Sequence, residues 1–260
     1  MIKVVKVGGA VIENERTLMD FCRDFSALEG RKLLVHGGSS MASALQRALG
    51  NEPVKIEGRR VTDAGAIKAV TMAYSGWCNK RLTACLQSLG CNAVGLSGCD
   101  GNVICSSRRP PLTLTDGKTV VDYGFVGQVT VQSVNVPFLE MLLDAGCTPV
   151  LCAINHDGAG QLLNTNADTI ASCVASALRG QLVYCFELDG VLRDVNDPDS
   201  VIPSLSKRQF ESMIASGSVS DGMIPKITNC LYALENGAAA AVIKNARDLD
   251  NPCAGTSISL

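Results

Sequence analysis

The stretch Met1-Ile2-Lys3-Val4-Val5-Lys6-Val7-Gly8-Gly9 decides the reading of this chain. Its run of β-branched residues predicts a buried strand over 2–7 that passes straight into a diglycine. A strand ending in Gly-Gly lets backbone N–H groups approach a ligand with no Cβ in the way. Lys6 stands beside those amides and adds a compact positive charge. The combination suits a phosphate group. The competing reading puts Lys6 on an edge strand, snorkelling out at a tight turn.

Outward from this segment, strand and helix patterns alternate. A helix over about 15–29 carries Leu18, Phe21, Cys22, Phe25 and Leu28 and closes at Gly30. A strand over 32–36 meets Gly37-Gly38, and Ser39 can cap a helix running to Gly50. A long helix follows Thr62-Asp63 and continues to Gly90, broken in composition near Gly76. Next come a strand over 92–96, a helix started by Pro137 and ended by Gly146, and an apolar strand over 148–154. Asn166-Ala167-Asp168 opens a further helix, with Asn166 as cap. Strand 182–187, helices 206–216 and 221–236, strand 239–244 and a terminal strand near 256–260 complete the pattern. Between 97 and about 131, turn signals at Asp100-Gly101, Pro110-Pro111 and Asp116-Gly117 predict hairpins inserted on one lobe. The alternation argues a three-layer α/β/α sandwich with a mainly parallel central sheet. We read a single domain over 1–260, with an N-terminal lobe over about 1–158 and a C-terminal lobe over about 159–260.

Composition narrows the function classes. Hydrophobic residues make up 47% of the 260 and charged residues 18%, enough for a substantial core. A formal net charge of -2, with basic pairs only at Arg59-Arg60 and Arg108-Arg109, argues against nucleic acid. No apolar run approaches the roughly 20 residues of a membrane span. The chain enters a strand at once, without a leader pattern, so a cytoplasmic location is expected. The 12 cysteines include no CxxC pair, and most sit among small apolar residues. They read as reduced, buried hydrophobes. No metal site is expected.

Several familiar motifs fail. Gly117-Lys118-Thr119 resembles the end of a Walker A loop, but Leu112 stands where that loop needs glycine. No GxGxxG follows a strand. What remains is a set of polar, mostly glycine-rich loops: Lys6–Gly9, His36–Ser39, Gly58–Thr62, Asn164–Asp168 and Asp221–Lys226. In an open parallel sheet ligands bind at the carboxyl ends of strands, and at least the first two loops follow strands. Two lysines, an arginine, an aspartate and free amides would then converge, as phosphoryl transfer requires.

These residues carry a family resemblance over nearly the full length. Lys-x-Gly-Gly at 6–9, Val-His-Gly-Gly at 35–38, Arg-Val-Thr at 60–62, Ala-Val-Gly-Leu-Ser-Gly at 93–98, Gly-Phe-Val-Gly at 124–127, Asn-x-Asn-Ala-Asp at 164–168 and Ser-Asp-Gly-Met-Ile-x-Lys at 220–226 occur in order. The chain resembles the amino acid kinase family, with its carbamate kinase-like fold, and within it the acetylglutamate kinases. The resemblance implies transfer of the ATP γ-phosphoryl to the side-chain carboxylate of N-acetyl-L-glutamate, a step of arginine biosynthesis. It implies that Lys6 and Lys226 neutralise the transferring group, with Asp168 holding both. Gly8, Gly9 and Gly38 would aim amides at the developing charge. Gly37, Gly38, Ser39, Arg60 and Asn164 would bind the acylated amino acid, Arg60 through its α-carboxylate. Gly8, Glu187, Gly190, Ser218, Ser220, Met223 and Lys226 would bind the nucleotide, with Mg²⁺ carried by the phosphates. His36 is expected to shape its loop, because an ionised carboxylate needs no base.

The sequence also departs from the family pattern. Ser39 replaces a usual third glycine, and Phe186-Glu187-Leu188-Asp189 differs from the usual strand end. Ser39 and the altered hairpins at 97–127 make an N-succinylglutamate kinase, or a kinase of another N-blocked acidic amino acid, the alternative within the fold. A non-catalytic amino-acid sensor is the alternative from another class. A regulatory domain of aspartokinase type and the extra N-terminal helix of arginine-inhibited hexamers are not expected. A homodimer without arginine feedback is expected. The long helix, with Ile67, Val70, Met72, Tyr74 and Trp77, is its candidate face.

Overall fold

The computed structural model describes every residue except Val195, Pro198, Ser220 and Asp221. The main sheet uses β1 (Lys3–Val7), β2 (Lys32–His36), β3 (Ala93–Leu96), β4 (Thr148–Cys152), β5 (Gln181–Phe186), β6 (Ser204–Ser206), β7 (Ala240–Asn245) and β8 (Thr256–Ser259). The 8 strands lie in the order β6-β8-β7-β5-β1-β2-β4-β3. The run from β7 to β3 is parallel throughout, so the carboxyl ends of β1, β2, β3, β4, β5 and β7 share one edge. Only β8 turns antiparallel to β7, and β6 follows β8. The three-residue β6 has too few side chains to show alternation, and sequence periodicity missed it.

β1 is central, not an edge. Lys6 lies opposite Tyr184 of β5 on one side and Val35 of β2 on the other. The edge-strand reading of Lys6 is thereby overturned. Strand periodicity then sets its direction. Val4 belongs to the core on one face of the sheet, Val5 and Val7 to the core on the other. Lys6 shares the parity of Val4, which is the face covered by α7 (Ala167–Ala177).

The helices before α7 are α1 (Gly9–Glu13), α2 (Glu15–Ala27), α3 (Ser39–Ala48), α4 (Ala64–Thr71), α5 (Asn79–Ser88) and α6 (Val136–Asp144). α8 (Lys207–Ser216) and α9 (Ile224–Glu235) follow it. The short α1 was not foreseen. It is split from α2 by Asn14, whose side-chain oxygen accepts from Arg16 and Thr17 N–H. The expected break near Gly76 is instead a π-helical stretch, Met72–Cys78, that joins α4 to α5 without interruption. Hairpins fill 107–128 as expected, pairing Ser107 with Gln128 and Leu112 with Val121.

All 12 cysteines are unpaired. Cys99 and Cys253 are exposed, but eight of the others, including Cys22, Cys152 and Cys173, are buried as small hydrophobes. No helix among the described residues is long and apolar enough to cross a membrane.

Candidate active site

Lys6 emerges at the carboxyl end of β1 on the side of α7. Asp168 stands in the first turn of that helix, where Asn166 caps the amide of Asp168 at 2.8 Å. The helix N-terminus favours an anion there. Lys6 Nζ meets Asp168 Oδ1 at 2.7 Å, with the two side chains 13% and 12% exposed. That oxygen is buried and receives no hydrogen bond of good geometry from any described residue, so Lys6 is its direct partner. Tyr184 Oη donates to the Asp168 carbonyl at 2.7 Å and ties α7 to β5.

Lys226 lies in the first turn of α9. Its Nζ donates to Gly222 O at 2.8 Å and sits 5.4 Å over the ring of Phe186, the last residue of β5. Burial lowers its pKa below the ordinary lysine value; the Asp168 charge opposes that shift and the Lys6 charge adds to it. The three charged groups therefore share one field, as the motifs suggested. Among the described residues the Asp168 carboxylate forms an ion pair only with Lys6, however, and Lys226 is held by the Gly222 carbonyl and the Phe186 face.

The glycine loops divide in role. Gly8 N–H is committed to Cys185 O at 3.0 Å, so it is not free for a ligand as expected. Gly9 opens α1, whose first amides lack intrahelical acceptors. Gly37 adjoins Ala167 at the start of α7. Gly38 has φ +152, and a Cβ there would stand 2.8 Å from Cys78 Sγ and 3.2 Å from the Tyr74 ring. Gly38 is also the N-cap of α3, which corrects the expectation that Ser39 caps it. Ser39 is the first helical residue, and its hydroxyl lies 3.4 Å from Arg60 Nη2.

Arg60 is buried. Nη1 donates to Gln46 Oε1 at 2.8 Å, and Nη2 donates to Ser39 O at 3.0 Å and Ser43 Oγ at 2.7 Å. Its Nε is buried with no partner among the described residues. No carboxylate of the described residues forms an ion pair with it. Asn164 reaches the same segment, donating to Thr62 Oγ1 at 3.2 Å, while Thr62 Oγ1 donates to Arg60 O.

His36 is fully buried at the end of β2. One ring nitrogen bonds Gly37 O at 2.8 Å, and the other faces Asn79 Nδ2 at 3.0 Å. Burial pulls its pKa down to about 4. The neutral ring fits both contacts when Nδ1–H donates to Gly37 O and Nε2 accepts from Asn79. It shapes its loop, as expected.

On the other half of the edge, Glu187 and Asp189 follow β5. Asn245 Nδ2 donates to Glu187 O at 2.9 Å and Asp189 Oδ1 at 2.7 Å, and Arg247 pairs with Asp189 at 2.9 Å. Gly190 is a packing glycine, since a Cβ would lie 2.7 Å from Thr256 Oγ1. Ser218 is exposed and shares a 2.8 Å hydrogen bond with Ser216, and Met223 is the N-cap of α9. Ser220 and Asp221, part of the same motif, lie outside the described residues. Gln46, Ser43, Asn79, Asn245 and Arg247 escaped sequence reasoning, being polar residues inside helices or at strand ends with no motif around them, and Tyr74 was read only as part of a dimer face. The spacing of Ser39, Ser43 and Gln46 along one helix face was the available signal for the first two.

Comparison with known proteins agrees with this geometry. Residues 1–245 match the profile of the Amino acid kinase family. The chain is 48% identical to the acetylglutamate kinase of Phocaeicola vulgatus, covering 99% of this chain and 98% of that one. It is 45% identical to the acetylglutamate kinase of Cytophaga hutchinsonii, covering 98% and 97%. Among solved structures it superposes with N-acetylglutamate synthase of Neisseria gonorrhoeae, in complex with coenzyme A and N-acetyl-glutamate, with a TM-score of 0.79 and 25% identity over 99% of this chain and 59% of that one. Site, sheet and sequence agree that the chain belongs to the amino acid kinase family.

Proposed function

We propose that this protein transfers the γ-phosphoryl group of ATP to the side-chain carboxylate of N-acetyl-L-glutamate, giving N-acetyl-L-glutamyl 5-phosphate. The observation that carries the reading is the buried Lys6–Asp168 pair with Lys226 in the same field, together with a buried Arg60, held against α3, that has no ion-pair partner among the described residues. The relatives named acetylglutamate kinase supply the substrate.

In this reading Arg60 takes the α-carboxylate, where a planar fork matches a carboxylate. Asn164 and the amides after Gly37 orient the rest of the amino acid from the N-terminal lobe. The C-terminal lobe holds the nucleotide along Glu187–Gly190 and Ser218–Lys226. Lys6 and Lys226 oppose charge that grows on the transferring oxygens, and Gly9 and Gly38 place amides toward it. Asp168 keeps Lys6 aimed. The Asp168 carboxylate is engaged by Lys6, and we read Mg²⁺ as carried by the nucleotide phosphates, where it would neutralise their charge. The protein acts in the cytoplasm, as a homodimer.

Hydroxylamine trapping tests the reaction. With ATP, N-acetylglutamate should yield hydroxamate faster than N-succinylglutamate, glutamate or aspartate. No hydroxamate from any of them would sink the kinase reading and favour a sensor, and faster turnover of the succinyl compound would change the substrate. Lys6→Ala should lower kcat by roughly 10²–10³ with a smaller change in KM, because its charge acts mainly in the transition state.

A further inference from the structure

A buried arginine normally meets a carboxylate of its own protein, because an uncompensated charge is costly away from water. Arg60 is 6% exposed and meets none among the described residues. Its neighbours on α3 are Ser39, Ser43 and Gln46, spaced i, i+4 and i+7, which places them on one helix face. They present neutral acceptors only: Gln46 Oε1 at 2.8 Å, Ser39 O at 3.0 Å and Ser43 Oγ at 2.7 Å. Gln46 is itself 2% exposed. Its amide orientation follows from chemistry, since a guanidinium only donates and the amide oxygen must face it. Its Nε2 is left to reach Glu52 O at 3.5 Å.

We propose that Gln46 is a positioning and specificity-determining residue: it fixes the Arg60 guanidinium with a neutral acceptor and so leaves its full charge for the α-carboxylate of the acylated glutamate. The inference rests on the reading that Arg60 takes this carboxylate. A neutral acceptor satisfies one N–H without cancelling the charge, whereas a carboxylate at the same place would compete with the ligand. Arg60 carries five N–H groups, and its buried Nε still has no partner among the described residues.

Gln46→Glu keeps the shape and adds the missing anion. The KM for N-acetylglutamate should rise on the order of tenfold to a hundredfold, the scale of one charge-assisted contact. The KM for ATP should hold and kcat should change far less. Thermal stability should match or exceed that of the unaltered protein. The α-carboxamide of N-acetylglutamate, which keeps the phosphoryl-accepting side chain but lacks the charge, is the second ligand. Its KM should barely respond to Gln46→Glu, whereas a merely structural defect would raise both. Ser43→Asp introduces the anion from the neighbouring turn and should show the same split, should Gln46→Glu fail to fold. An unchanged KM for N-acetylglutamate in the folded variants, or an equal rise for both ligands, would overturn the proposal. Arg60→Lys separates the two layers. If it leaves the KM for N-acetylglutamate unaltered, the Arg60 assignment falls and the role of Gln46 falls with it.

Discussion

Lys6 and His36 sit at the ends of adjacent strands, and burial treats them differently. Lys6 keeps an ionic partner in Asp168, whereas His36 lies against a carbonyl and an amide and has no ion-pair partner among the described residues. Its pKa therefore falls to about 4 from the ordinary 6.5. The unfolded chain takes up this proton below about 6.5, and the folded chain only near 4. The stabilising contribution of neutral His36 is thus complete above 6.5 and is lost as pH falls from 6.5 toward 4. The slope in that window is about 1.4 kcal/mol per pH unit. Urea midpoints at pH 7 and pH 5 should differ in the unaltered protein, and His36→Gln should reduce the difference. An identical pH dependence in that variant would remove His36 as the source. The Lys-x-Gly-Gly motif announced Lys6, but the parity of β1 that turns it toward α7 is a property of the assembled sheet.

The helix after Asp63 shows how an element can read correctly in extent and wrongly in kind. Its caps are local: Asp63 accepts from Ala66 N–H, and Gly90 with φ +77 follows its end. The π-helical stretch Met72–Cys78 is not local, since no residue in it forbids ordinary α-helix. It presents Tyr74 and Cys78 to Gly38, and Ser75 to Cys152 at 3.1 Å. Widened helical turns recur beside functional sites, where they re-aim side chains. Gly38→Ala should therefore be doubly penalised, by φ +152 and by the 2.8 Å approach to Cys78 Sγ. We expect a loss of about 1–3 kcal/mol in chemical denaturation, with reduced turnover. Adding Cys78→Ala should restore part of the stability, because it removes the 2.8 Å contact but not the backbone strain or the 3.2 Å approach to Tyr74. No restoration would assign the effect to the backbone and Tyr74.

The eight-stranded sheet organises the molecule, and the candidate site lies along one of its edges. Parallel pairing from β7 to β3 brings the ends of β1, β2 and β5 together, and α7 and α9 deliver Asp168 and Lys226 to that edge. The candidate dimer face is narrower than its helix pattern implied. Ile67, Val70 and Tyr74 belong to the chain's own core, which leaves Met72 at 54% and Trp77 at 59% exposure to meet a partner. Light scattering should give twice the chain mass, and Trp77→Glu should shift the population toward monomer. A monomer for the unaltered protein would end the dimer proposal.

Local signals were enough for the alternation of strands and helices, the helix cap at Asn166, the hairpins of 97–131 and the Lys6, Asp168 and Lys226 motifs. Each depends on residues a few positions apart, whose periodicity and capping chemistry survive in any context. Packing alone settled the central place of β1, the short β6, the π-helical turns, the commitment of Gly8 N–H to Cys185, and the neutral cage around Arg60. These join residues as far apart as Gly8 and Cys185, or Ser39 and Arg60. Nothing nearby in the chain encodes which buried charge will find an anion and which will be left without one.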